Sequence, residues 1–116
     1  MTLTFNGDLG KRHFEFCFVG FVLGGSLLDK KGITILRREM QLFEKLEAIS
    51  EPMPCGKKLV NGEVQRQLLK SGGEIQIDGS EQDMLHNYIA LVPWQTGSPV
   101  RHALETLDWL TTNGRS

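Results

Sequence analysis

Between Gly73 and Leu110 the chain runs GEIQIDGSEQDMLHNYIALVPWQTGSPVRHALETLDWL, and few foldings satisfy that order of residues. Polar and apolar residues alternate over Glu74–Asp78, the pattern of a half-buried strand. Gly79 permits a sharp change of direction. Ser80-Glu81-Gln82-Asp83 then reads as a capping box, in which the Ser80 hydroxyl takes an orphan amide and the Asp83 carboxylate reaches back. Met84, Leu85, Tyr88, Ile89 and Val92 recur at helical spacing, so one face of this helix is buried. Pro93 closes it, because the residue before a proline is displaced from the α region. Ser98-Pro99 opens a second helix, a cap followed by proline where no amide partner is needed. Its buried stripe is Val100, Ala103, Leu104, Leu107 and Leu110, and residues Thr111 to Ser116 read as a frayed tail.

The upstream half divides differently. Thr2–Phe5 alternates, Asn6-Gly7 starts a turn, and Phe14-Glu15-Phe16-Cys17-Phe18 alternates again, which reads as a β-hairpin with a loop from Asn6 to Arg12. Phe21–Leu28 fits either a further strand or a short buried helix, and Gly24-Gly25 favours a bend there. Asp29-Lys30-Lys31-Gly32 has turn composition. Ile33–Ile49 is the clearest helix of this half, with Ile35, Leu36, Met40, Leu42, Phe43, Leu46 and Ile49 as a broad apolar stripe. Its arginines near the start and glutamates near the end oppose the helix dipole, so packing has to hold it. Ser50–Lys58 reads as a loop. Glu63–Lys70 reads as a helix stopped by Gly72, against the alternative of a tight hairpin turn at Val60–Glu63. The expected architecture is a single α+β domain over residues 1–116, an N-terminal antiparallel β-sheet packed against three or four helices. It is β-rich over 1–32, with a helix at 33–49, a loop and short element at 50–72, and strand–helix–helix over 73–112.

At 116 residues such a chain buries a core without metal or disulfide staples. Its net charge is −1, but residues 1–73 hold 11 basic against 8 acidic side chains and residues 74–116 hold 2 against 6. That asymmetry suits electrostatic complementarity between halves or between copies. Two cysteines, Cys17 and Cys55, without Cys-x-x-Cys spacing, suit a reducing compartment, so the expected location is the cytoplasm. The apolar run Phe16–Leu28 is too short and too rich in glycine for a membrane span, and Asp8 and Glu15 disqualify it as a signal peptide.

Chemistry-bearing residues are scattered. His13, His86 and His102 form no His-x-x-x-His pair and no zinc-ligand spacing, so neither a metal nor a cofactor is expected. His102 with Glu105 and His86 with Asp83 lie one helical turn apart, which leaves a small enzyme with a His/carboxylate site as one alternative. The dibasic pairs Lys11-Arg12, Lys30-Lys31, Arg37-Arg38 and Lys57-Lys58 supply another, a nucleic-acid-binding accessory, if the fold gathers them on one face. Cys55 sits in a loop beside Lys57 and Lys58, where a passive thiol is the commoner outcome. Trp94 follows Pro93 and either plugs the end of the core or anchors a partner. Trp109 falls off the stripe of its helix, towards His102 and Glu105, which marks Trp109, Trp94, His102 and Glu105 as the expected interface.

The run Leu36-Arg37-Arg38-Glu39-Met40-Gln41-Leu42-Phe43-Glu44-Lys45-Leu46-Glu47, with Val92-Pro93-Trp94 and Ala103–Asp108 after it, resembles small proteins of tailed phages and prophages encoded among head and tail genes. The resemblance covers about two-thirds of the chain and transfers no residue role. It implies a non-enzymatic protein that binds other proteins, itself included as a homo-oligomer, in virion assembly or self-assembly, in host cytoplasm or virion. An inhibitor of a host defence system is the related alternative.

Overall fold

The computed structural model describes residues 1–28, 30–53, 66–69 and 72–113, the side chain of Asn113 excepted. In chain order the elements are β1 (Thr2–Phe5), α1 (Gly7–Ser26), α2 (Ile33–Ala48), β2 (Ser50–Pro52), β3 (Arg66–Leu68), β4 (Gly73–Gln76), α3 (Gly79–Leu91) and α4 (Ser98–Asn113). The chain is thus α+β with a helical majority. The turn at Asp29, the loop residues 54–58 and the hairpin turn expected at 60–63 fall wholly or partly outside the described residues.

The N-terminal hairpin is replaced by a helix. Residues 14–18 alternate over five positions, but Gly10, His13, Phe14, Cys17, Phe18, Phe21, Gly24 and Gly25 are buried at helical spacing over sixteen, and the longer period governs. The outer member of the apparent alternation, Phe16, is only half buried, against Trp94 of the α3–α4 connection with centroids 5.1 Å apart. The glycines expected to bend the chain lie inside α1. At Gly24 an added Cβ would sit 2.6 Å from the Tyr88 carbonyl carbon, and at Gly20 it would meet Ile89 Cγ1 at 2.7 Å. These two glycines, four apart, present a bare strip of α1 on which α3 crosses with its backbone in contact.

β1 keeps its expected place but pairs antiparallel with β4, Leu3 opposite Ile75 and Phe5 opposite Gly73. Leu3, Phe5, Ile75 and Ile77 all point into the core. A two-stranded ribbon is marginal alone; here Phe14 of α1 closes edge-on against Phe5 at 5.6 Å. The second ribbon, β2 with β3, pairs Ser50 with Leu68 and Pro52 with Arg66. Arg66–Leu68 is therefore strand, not the helix expected over Glu63–Lys70.

α3 starts two residues earlier than read, at Gly79. Its N-cap is Asp78, whose Oδ1 accepts from the Glu81 amide at 2.7 Å while Glu81 Oε1 accepts from the Asp78 amide at 3.1 Å. The reciprocal box is therefore Asp78/Glu81 and not Ser80/Asp83. Buried Glu81 keeps its charge compensated by Lys45 Nζ of α2 at 2.8 and 3.0 Å. On α4, Thr106 is fully buried and donates to its own helix at His102 O, 2.8 Å away. The inner face is centred on Ala103, Thr106 and Leu110, which leaves Leu104 57% exposed and brings Trp109 inward. Replacing Asp78 by alanine is expected to lower unfolding stability by about 1 kcal/mol, whereas Ser80→Ala, at an exposed position past the cap, should change it by less than about 0.5 kcal/mol. Urea titrations of the two variants provide the comparison.

Candidate functional site

Three of the four residues marked for an interface gather at the α1–α4 seam, where α1 partly covers Trp109 and His102 while Glu105 stays exposed. Trp109 stacks on His13 with centroids 4.6 Å apart and lies 5.2 Å from the Phe5 ring. It is half buried, not on an outer face, and the N-terminal strand and helix are what cover it. Trp94 folds back as a plug. Its indole Nε1–H donates to Ile89 O at 3.0 Å, satisfying a carbonyl at the end of α3, and its ring rests on Phe16. His102 packs edge-on to Phe16 at 5.8 Å, and its Nδ1 lies 3.6 Å from Glu105 Oε2. Arg12 Nη1 of α1 reaches the same carboxylate oxygen at 3.8 Å.

The seam therefore brings together Arg12, His13, His102 and Glu105, of which sequence spacing had linked only the last two. His13 is buried, and loss of hydration holds its imidazole pKa below the ordinary value, with Arg12 acting the same way and Glu105 opposing. His86 lies elsewhere, half buried on α3. Cys17 is fully buried and burial raises its pKa, so its thiolate is suppressed. Among the described residues no group of three or more His, Cys, Asp or Glu is placed to hold a metal ion.

Among the described residues the dibasic pairs do not all collect on one face. Lys11 and Arg12 project near the start of α1, whereas Lys31 docks at its far end, donating to Gly25 O at 2.8 Å, about 20 Å further along the helix. Lys31 is also spent on Glu39 of α2 at 3.0 Å. Lys30, Arg37 and Arg38 are exposed near that end, while Lys57, Lys58 and Cys55 lie outside the described residues.

The feature that spacing alone did not isolate is on α2. Only Leu42 and Leu46 of its broad stripe are buried. Ile33, Leu36 and Met40 are 72%, 43% and 55% exposed, and they continue at helical spacing into half-buried Phe43. Leu36, Met40 and Phe43 form one wall of an open groove of about 380 Å³, and Phe21, Val22 and Gly25 of α1 form the other. The polar end of the groove is fixed. Glu39 bridges Lys31 to the Tyr88 hydroxyl, which donates to Oε2 at 2.6 Å, and burial together with this acceptor raises the tyrosine pKa. The signal in sequence was the width of the stripe: seven apolar positions are more than one buried face uses.

No helix among the described residues is long and apolar enough to cross a membrane. Compared with protein-family models, with curated proteins and with solved structures, the chain gives no match.

The buried imidazole sets a pH dependence. Because folding lowers the His13 pKa, the unfolded chain takes up this proton first as pH falls. The stability His13 contributes is complete above its unfolded pKa of about 6.5 and declines as pH drops below that value. NMR titration should place the His13 midpoint below those of model imidazoles, and His13→Gln should flatten the fall in thermal midpoint between about pH 7 and pH 5. A midpoint above about 6.5 would contradict the burial.

Proposed function

We propose that this chain acts by stoichiometric binding to a protein, through the open groove between α1 and α2 and the apolar stripe beside it. The observation that carries this reading is the exposure of Ile33, Leu36 and Met40 in one row alongside a concave wall of Phe21 and Val22. Such a contiguous apolar surface is costly to leave in water, and it matches the way an amphipathic helix is received in a groove. The Lys31–Glu39–Tyr88 network supports it by holding the groove's end in a fixed shape before any partner arrives. The interface thus moves from the indoles of Trp94 and Trp109, which are engaged within the chain, to α2. The resemblance to small tailed-phage and prophage proteins favours virion assembly or self-assembly as the setting, in host cytoplasm or in the particle.

A photo-crosslinking amino acid placed at position 40 in cells that make the protein is expected to give one discrete adduct. The same probe at Leu104, equally exposed on α4, should give none. Adding Ile33→Gln and Leu36→Gln should remove the adduct while changing stability by less than about 1 kcal/mol in total, since both side chains are already hydrated. Equal labelling from positions 40 and 104, or none from either, would end this reading.

A further inference from the structure

We infer that the occupant of this face is α2 of a second copy of the chain, packed antiparallel about a two-fold axis. The inference rests on the protein-binding reading above and adds the identity of the partner. Ile33, Leu36, Met40 and Phe43 follow the three–four–three spacing of coiled-coil seam positions. Arg37 and Glu44 flank that seam on one side, two turns apart, at equivalent positions of the repeat. Neither has an ion-pair partner among the described residues, whereas Glu39, Lys45 and Glu47 are engaged with Lys31, Glu81 and Arg66.

The charge order along α2 is unfavourable for a single helix. Its first turn carries no acidic residue, Arg37 and Arg38 follow soon after, and Glu44 and Glu47 lie near its end. Reversal of a second copy turns this defect into complementarity. With Met40 over Met40 of the second copy, Leu36 meets Phe43, and Arg37 meets Glu44, each contact occurring twice by symmetry. A parallel pairing would set Arg37 beside Gly32 of the second copy and Glu44 beside its Glu39, so neither charge would meet its opposite. The second copy's stripe also closes the open side of the groove. A contact confined to one helix per chain falls below the roughly 1,600 Å² of a standard interface, so the dimer is a micromolar, concentration-dependent one.

Sedimentation velocity over about 10 to 500 μM provides the test, with circular dichroism confirming that each variant is folded. Wild type is expected to shift from monomer to dimer across this range. Arg37→Glu alone and Glu44→Arg alone should each weaken association by about tenfold, because each sets like charges opposite one another twice. An equimolar mixture of the two single variants should regain wild-type association, as should the double variant R37E/E44R. A wild type that stays monomeric throughout, or single variants whose mixture fails to recover, overturns the self-pairing. The position-40 crosslink then separates the two levels: an adduct with a different protein keeps the binding face and rejects the second copy, while no adduct removes both.

Discussion

Two helices touch through their backbones in this molecule, and the remainder is arranged around that contact. Gly20 and Gly24 leave a strip of α1 without side chains, and Ile89 and the Tyr88 carbonyl of α3 lie on it. Close approach of this kind places every neighbouring ring in reach: Phe21 stacks on Tyr88 at 5.5 Å, and the same Tyr88 extends its hydroxyl to Glu39. A side chain at position 24 would push α3 outward and separate all of these at once. The β1–β4 ribbon caps one end of the pair with Leu3, Phe5, Ile75 and Ile77, and α4 closes the flank through Ala103, Thr106 and Leu110.

α2 is attached to this scaffold mainly by its second half. Leu42 and Leu46 enter the core, Phe43 meets Phe18 at 5.7 Å, and Lys45 compensates the buried Glu81. The first half is held at one side by Glu39, which pairs with Lys31 and accepts from the Tyr88 hydroxyl, and its outer row of Ile33, Leu36 and Met40 faces solvent. An element secured along one edge in this way presents its outer apolar row without distorting the core. The α1–α4 seam, by contrast, has its aromatic surface already satisfied, and its titrating group, His13, is coupled to folding.

Much of this was readable from residues, and the failures have physical causes. The helix at 33–48, the strand before α3, both C-terminal helices and the Pro93 stop follow from periodicity and proline geometry. The α1 helix is hard to read from sequence because three phenylalanines at alternate positions imitate a strand over a short window, and because its glycines, which look like breakers, serve interhelical contact. The stripe of Val100, Ala103, Leu104, Leu107 and Leu110 leaves out Thr106 and so sets Trp109 outside. A threonine that bonds to its own helix turns its methyl to the core and rotates the buried face. The β2–β3 pairing could not be inferred from Arg66–Leu68, three residues whose strand character comes only from their partner. The groove on α2 depends on which half of a broad stripe the core accepts, a property of three-dimensional packing that spacing does not encode.

Adjacent glycines on α1 offer the most direct test of the helix contact, because the two respond with opposite signs. An added Cβ at Gly25 meets Tyr88 Cε2 at 3.4 Å, ordinary contact, whereas at Gly24 it falls 2.8 Å from Tyr88 Cα. By helix propensity alone either glycine-to-alanine change would stabilise by about 0.5–1 kcal/mol. Measured by chemical denaturation, Gly25→Ala is expected to be neutral or stabilising, and Gly24→Ala to destabilise by about 2 kcal/mol or more. A stabilised Gly24→Ala variant would contradict the backbone crossing on which this description of the fold depends.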